Sequence, residues 1–312
     1  MHPHAPHKKT SHHPHAHLLR WATYASVCVA LILIVLKAGA WAMTSSMGLQ
    51  ASLVDSTLDA AASLINLIAV AQALKPPDHE HRFGHGKIES LAALAQSAFI
   101  AGSAAWLLVE CAERFAHPHP LEHTGVGVVV MLISMVFTLG LVLFQNHVIK
   151  KTKSTAIKAD ATHYRSDFLV NGSVLVSLVL SGFFQIPFLD PLVAGIIGLY
   201  ILYTAWTISV EAFHILVDRE LGDEERAQIS EIALKHPDVT GLHDLRTRSA
   251  GSQLFIQLHL ELDGNMSLSA AHVIADDVAM EIVAAFPEAE VIIHQDPYQL
   301  SGRGPYENKA LT

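Results

Sequence analysis

Two cysteines in 312 residues, Cys28 and Cys111, both inside apolar runs, argue against a disulfide framework and against a cysteine zinc site. Charge is scarce as well. Asp, Glu, Lys and Arg make up 16% of the chain, against about 25% in soluble globular proteins. Basic residues are outnumbered 29 to 20, giving a formal net charge of -9 with His neutral, and much of the acid falls after residue 215. That balance argues against a nucleic-acid partner. No HExxH occurs, which disfavours an intramembrane metalloprotease, and no nucleophile–base pair or phosphate loop appears, so the chain does not read as an enzyme. No short apolar core with a small-residue cleavage site opens the chain, so no secretory signal is expected.

What is abundant is apolar sequence, at 51%, and histidine, at 21 residues. The apolar residues form six runs long enough to span a bilayer: 19–43, 49–74, 88–115, 124–148, 161–184 and 191–216. Trp21 and Trp41 sit like interfacial anchors at the two ends of the first run. Pro76, Pro77, Pro118, Pro120, Pro187 and Pro191 fall at the connections, where a helix must stop anyway. The fold class expected is a polytopic α-helical membrane protein with six transmembrane helices. Lys8, Lys9 and Arg20 precede the first run. Lys75, Arg82 and Lys87 follow the second, and Lys150, Lys151, Lys153 and Lys158 follow the fourth. The other connections carry no basic residue besides His, so the positive-inside rule puts both termini in the cytoplasm.

Four polar side chains stand inside these runs. Asp55 and Asp59 lie four apart, as do His163 and Asp167, so each pair shares a helix face one turn apart. An ionised Asp at the bilayer centre costs about 2.5–3.5 kcal/mol on insertion scales, so such groups face a partner, an ion or water. Carboxylate oxygens with an imidazole nitrogen suit tetrahedral zinc, and other divalent transition metals less selectively. The four are read as one metal site that carries the ion across the bilayer. A charge-neutralising pair between Lys37 and one Asp is the competing reading.

Outside the runs, residues 1–18 form a His- and Pro-rich tail expected to be disordered, with seven His in residues 1–17. Residues 19–216 are the membrane domain. Residues 217–300 read as a cytoplasmic α+β domain of order αββαβ, and 301–312 as a loose tail. The expected elements there are a helix over 223–236, strands over 241–248 and 254–261 joined by a turn at 250–252, a helix over 267–286 and a strand over 290–294. In the second strand Leu254, Ile256, Leu258 and Leu260 share one face and His259 lies on the other, so His259 is not a core histidine. Two more clusters stay open on spacing alone. Asp78, His81 and His85 form either a zinc-holding loop or a polar loop near the headgroups. His243, His259, His272, His294 and Asp296 either converge in the fold or are scattered and solvated. His117, His119 and His123 read as a plain outer loop.

The runs SLVDSTLD (52–59), PDHEHRFGHGKIESLAAL (77–94), KADATHYRSD (158–167), FIQLHLEL (255–262) and VIIHQDP (291–297) carry a resemblance. Over residues 20–300 the chain resembles the cation diffusion facilitator family, and within it the bacterial ferrous-iron and zinc efflux pumps. The resemblance implies a homodimer in the bacterial inner membrane that exchanges a divalent metal for protons. It implies a transport site at Asp55, Asp59, His163 and Asp167 and a loop site at Asp78, His81 and His85. It implies a binuclear site at His243, His259, His272, His294 and Asp296, near Gln295, in a metallochaperone-like domain. It also implies a salt-bridge interlock of Lys87 with Asp218. Zn2+ or Fe2+ is the expected ion, transported and regulatory, with cadmium a further candidate. A membrane metal sensor and a divalent-cation channel without proton coupling are the alternative readings.

Overall fold

A computed structural model describes residues 15–44, 47–116, 125–184, 189–251 and 253–298. The histidines before residue 15, the 117–123 histidines and Ser252 lie outside the described residues. The chain divides into two compact units, Met1–Phe213 and His214–Thr312.

The first unit is built from six long helices: α1 (Ala16–Thr44), α2 (Met47–Ala73), α3 (Lys87–Ala116), α4 (Gly125–Thr152), α5 (Thr155–Phe184) and α6 (Leu189–Leu216). Five of them, all but α5, are long and apolar enough to cross a membrane. Their packing is the reverse of a soluble bundle. Small residues such as Ala22, Ala93, Ala104, Ala156, Ala159 and Ala212 are buried between helices, while Val35, Trp106, Val136 and Leu143 point outward. Close approach of small residues is how helices associate when the solvent is itself apolar.

α5 is as long as the others but carries Lys158, Asp160, His163, Arg165 and Asp167 in its first half. Those charges lower its hydropathy, and they also explain why it begins at Thr155 rather than near 161. Its start is fixed by Ser154, whose hydroxyl accepts from Ile157 N at 3.3 Å as an N-cap and donates to the buried Glu89 at 2.7 Å. Lys158 pairs with Glu211 of α6. α5 packs against α1, α2, α3 and α4, so its polar half faces protein.

The second unit contains α7 (Asp223–Leu234), β1 (Gly241–Ala250), β2 (Gln253–Leu262), α8 (Leu268–Ala285) and β3 (Ala289–Pro297). The sheet order is β1-β2-β3, with β1 antiparallel and β3 parallel to β2. The expected αββαβ order is present, with each strand two to four residues longer than its apolar pattern. Gly251, at φ 64°, makes the hairpin turn between β1 and β2, where a side chain would be strained. Ser267 caps α8 by accepting from Ala270 N at 3.2 Å. Ile256, Leu258, Leu260 and Leu262 of β2 pack with Ile229 of α7 and with Ile274, Val278 and Ile282 of α8 in one core. Both helices therefore cover the apolar face of the sheet, and the face bearing His259 is left uncovered by them.

Candidate metal centre

On α2, Ser52, Asp55, Ser56, Asp59, Ser63 and Asn66 recur at helical spacing on one side. Ser56, Asp59, Ser63 and Asn66 are buried, so the stripe faces the bundle. Asp59 meets His163 of α5, with His163 Nε2 2.9 Å from Asp59 Oδ1 and 3.8 Å from Asp167 Oδ2. One ligand atom from each of Asp59, His163 and Asp167 lies within 4.8 Å of the others, the spread that one bound ion would span. His163 is 4% exposed, with Phe99 edge-on at 5.8 Å between ring centroids. Asp55 stands one turn from Asp59 on the same side but is exposed and outside this trio. The competing reading, a Lys37–Asp ion pair, is not what forms. Lys37 Nζ donates to Ser56 Oγ at 2.6 Å and to Ser52 O at 3.2 Å.

One turn before His163, Asp160 joins four helices. Its carboxylate accepts from Ser26 Oγ of α1 at 2.5 Å, Gln96 Nε2 of α3 at 3.1 Å and Gln145 Nε2 of α4 at 2.7 Å. It is fully buried. The next residue on that turn, Tyr164, shares a 2.8 Å hydrogen bond with Ser63 and donates to Ser26 O at 3.3 Å. This junction fixes the rotation of α5 and so the aim of His163. It is absent from the site expected on sequence, although the i, i+3 spacing of Asp160 and His163 was the signal that would have found it.

The loop from Asp78 to Lys87 holds a second cluster. Asp78 Oδ1 accepts from the backbone N–H of His81 at 2.7 Å and of Glu80 at 2.9 Å. Gly84, at φ 80°, turns the chain so that His85 comes back toward Asp78. His81 Nδ1 and His85 Nε2 each lie 3.3 Å from an Asp78 oxygen. The His81 N–H leads in holding the Asp78 carboxyl below the usual carboxylate range. Its support of the turn is therefore present above the ordinary carboxylate pKa and is lost only as pH falls through the lowered value. Lys87 opens α3 beyond this loop, in the first unit. Asp218, in the second unit, adopts φ 59° and accepts from Arg248 Nη1 at 3.2 Å.

The third cluster lies on the uncovered face of the sheet. Register pairs His243 with His259 and His259 with His294 across three strands. Asp296 gathers them: His259 Nδ1 is 2.8 Å, His243 Nε2 3.3 Å and His294 Nε2 3.1 Å from its oxygens. Glu261 at 3.7 Å from His243, and Asp244 at 3.7 Å from His259, extend the donor set beyond the sequence expectation. Asp244 is brought there by the irregularity in β1 between His243 and Arg246, where it adopts φ 49°. No alternation rule anticipates that break. His272 is not with this group. It lies on α8, in the layer covering the other face, 3.5 Å from Asp276 and exposed.

Residues 23–217 match the cation efflux transmembrane domain, and residues 221–298 match the cytoplasmic domain of cation efflux proteins. The chain is 49% identical over 282 residues to the cation-efflux pump FieF of Shewanella oneidensis, covering 90% of this chain and 95% of that one. It is 50% identical over 280 residues to FieF of Klebsiella pneumoniae, covering 90% and 93%. A solved structure titled as the metal-bound C-terminal domain of the CzcD transporter from Thermotoga maritima is 29% identical and covers 24% of this chain and 87% of that one, with a TM-score of 0.23. With two domain families matched in order and near half the residues shared with full-length relatives, the chain belongs to the cation efflux family.

Proposed function

We propose that the chain is a secondary transporter that moves a divalent transition metal, zinc or ferrous iron with cadmium as a further substrate, out of the cytoplasm in exchange for protons. The observation that carries this reading is the trio of buried Asp59 and His163 with half-buried Asp167 inside a bundle of membrane-length helices, with Asp55 one turn away. Oxygen and imidazole donors suit borderline divalent ions, and a site nearly closed to solvent suits a cargo held in transit. α5 completes the sixth span, with its buried Asp160 and His163 turned to the protein. Basic loops after the second and fourth helices orient both termini to the cytoplasm, and in a bacterium the membrane is the inner one.

Binding requires deprotonated ligands, so metal and protons compete for the same atoms. Imidazole is the side chain whose ordinary titration range lies nearest neutrality, which fits His163 to that exchange. Rocking of the helices then opens the site to the other side. The sheet cluster of His243, His259, His294 and Asp296 binds cytoplasmic metal and strengthens a homodimer. The Asp78, His81 and His85 loop is a further binding point on the cytoplasmic side.

Two experiments follow. In proteoliposomes zinc, ferrous iron and cadmium should each give saturable flux. No flux with any of them would favour a sensor, and flux that fails to saturate would favour a channel. Replacing His259 and His294 together by Ala should weaken metal-dependent dimerisation about tenfold or more, by analogy with the loss of metal-site partners. Dimer affinity read by analytical ultracentrifugation with and without zinc checks this. Equal zinc dependence in the wild type and the double variant is the contrary result.

A further inference from the structure

Lys37 is a buried charged side chain near the trio that the transport reading leaves without a task. It is 7% exposed, in the last third of α1. A lysine in a membrane helix costs about as much as a buried Asp, so its retention calls for a compensating role. The obvious one, an ion pair with a ligand carboxylate, does not form. Both hydrogen bonds of its ammonium go to neutral oxygens, Ser56 Oγ and Ser52 O. Ser52 and Ser56 lie on the α2 stripe that carries Asp55 and Asp59, so the ammonium is parked beside the carboxylates without occupying them. Asp55, Asp59 and Asp167 are all within Coulombic reach of it.

Formal charge shows what this placement accomplishes. Counted over the four-residue site, Asp55 together with the trio, three carboxylates give -3, and Lys37 brings the sum to -2, which one divalent cation cancels. Without Lys37 the same cation would leave -1 in a desolvated bundle, and a trivalent ion would become the matched guest. We propose that Lys37 is a specificity-determining residue: a tethered positive charge that matches the transport site to a divalent ion and keeps its affinity low enough for release. The two serines hold the ammonium off the ligand oxygens, so it acts through its field. This inference rests on the transport-site reading of Asp55, Asp59, His163 and Asp167 together.

The test is flux by the full-length protein in proteoliposomes, with zinc as substrate and terbium(III) as competing inhibitor. Flux reports on the transport site and not on the loop or sheet clusters. In Lys37→Met the KM for zinc should fall about tenfold, with kcat lowered by slower release. Coulomb energy scales with ion charge, so the inhibition constant of terbium should fall further, by about thirtyfold. Lys37→Arg, which keeps the charge, should behave as the wild type. Where Lys37→Met does not yield folded protein, Lys37→Gln removes the charge while keeping a donor for Ser56. A zinc KM that is unchanged or raised in the uncharged variant, or equal shifts for zinc and terbium, overturns the proposal. Asp59→Asn separates the two levels. If it keeps saturable flux, the site reading itself fails. If it abolishes flux while Lys37→Met matches the wild type, only the role of Lys37 fails.

Discussion

Asp59→Ala should abolish saturable metal flux while leaving the protein folded. Asp59 is the donor that brings α2 to His163, at 2.9 Å, and with Asp167 it supplies the trio's carboxylate oxygens. Removing even an outer partner of a metal ligand typically costs about 10- to 100-fold in affinity, and removing a ligand costs more. The change leaves His163 without its Asp59 partner, at a cost of about 1–3 kcal/mol. Asp55→Ala should be milder, since Asp55 is exposed and outside the trio. Flux in proteoliposomes, with thermal melting as the control for folding, measures both. Wild-type flux in Asp59→Ala would remove the trio from the transport pathway.

The second large effect is expected at Asp160. Its carboxylate takes three hydrogen bonds from side chains on three other helices, and Gln145 additionally donates to Ser26 at 2.9 Å. In Asp160→Ala those donors lose their acceptor inside the bundle. An orphaned buried donor costs about 1–3 kcal/mol, whereas hydrogen bonds between membrane helices average nearer 0.6 kcal/mol. The larger figure governs here because the site is fully buried, although Ser26 also donates to Ala22 O at 3.1 Å and Gln145 to Ser26 at 2.9 Å. A loss of about 2–5 kcal/mol follows, read as a lower melting temperature in detergent. Asp160→Asn should cost less, since its amide oxygen still accepts, although its NH2 meets donors. Flux should fall in both, because α5 no longer holds His163 at a fixed rotation. Melting of Asp160→Ala within error of the wild type would show that the junction does not hold the helices together.

How much of this was legible in the sequence depended on the kind of signal. Hydropathy located all six long helices of the first unit, since lipid-facing length leaves a direct trace in composition. It misplaced the start of α5, because Lys158 and Asp160 look like loop residues until Glu211, Ser26, Gln96 and Gln145 are seen to meet them. Strand alternation assigned His259 to the face away from the core, and the structure has it there. Spacing within one helix paired Asp55 with Asp59 and His163 with Asp167. Spacing cannot say that Asp59 and His163 meet while Asp55 stands aside, because that depends on the relative rotation of two helices. His272 illustrates the same limit. It is a histidine at the right place in the motif order, yet in this chain it belongs to the helical layer rather than the sheet face. Asp244 and Glu261 were missed because a break in strand register turns one of them and cross-strand pairing supplies the other.

The central claim, proton-coupled export through Asp59, His163 and Asp167, is tested most directly by recording metal and proton movement together. Purified protein is reconstituted in vesicles with a zinc-sensitive dye and a pH-sensitive dye inside, and a zinc gradient is imposed inward. The expected result is saturable zinc entry with simultaneous alkalinisation of the lumen, and loss of both signals in Asp59→Ala. Zinc entry with no change in luminal pH, or with both signals intact in Asp59→Ala, would contradict it.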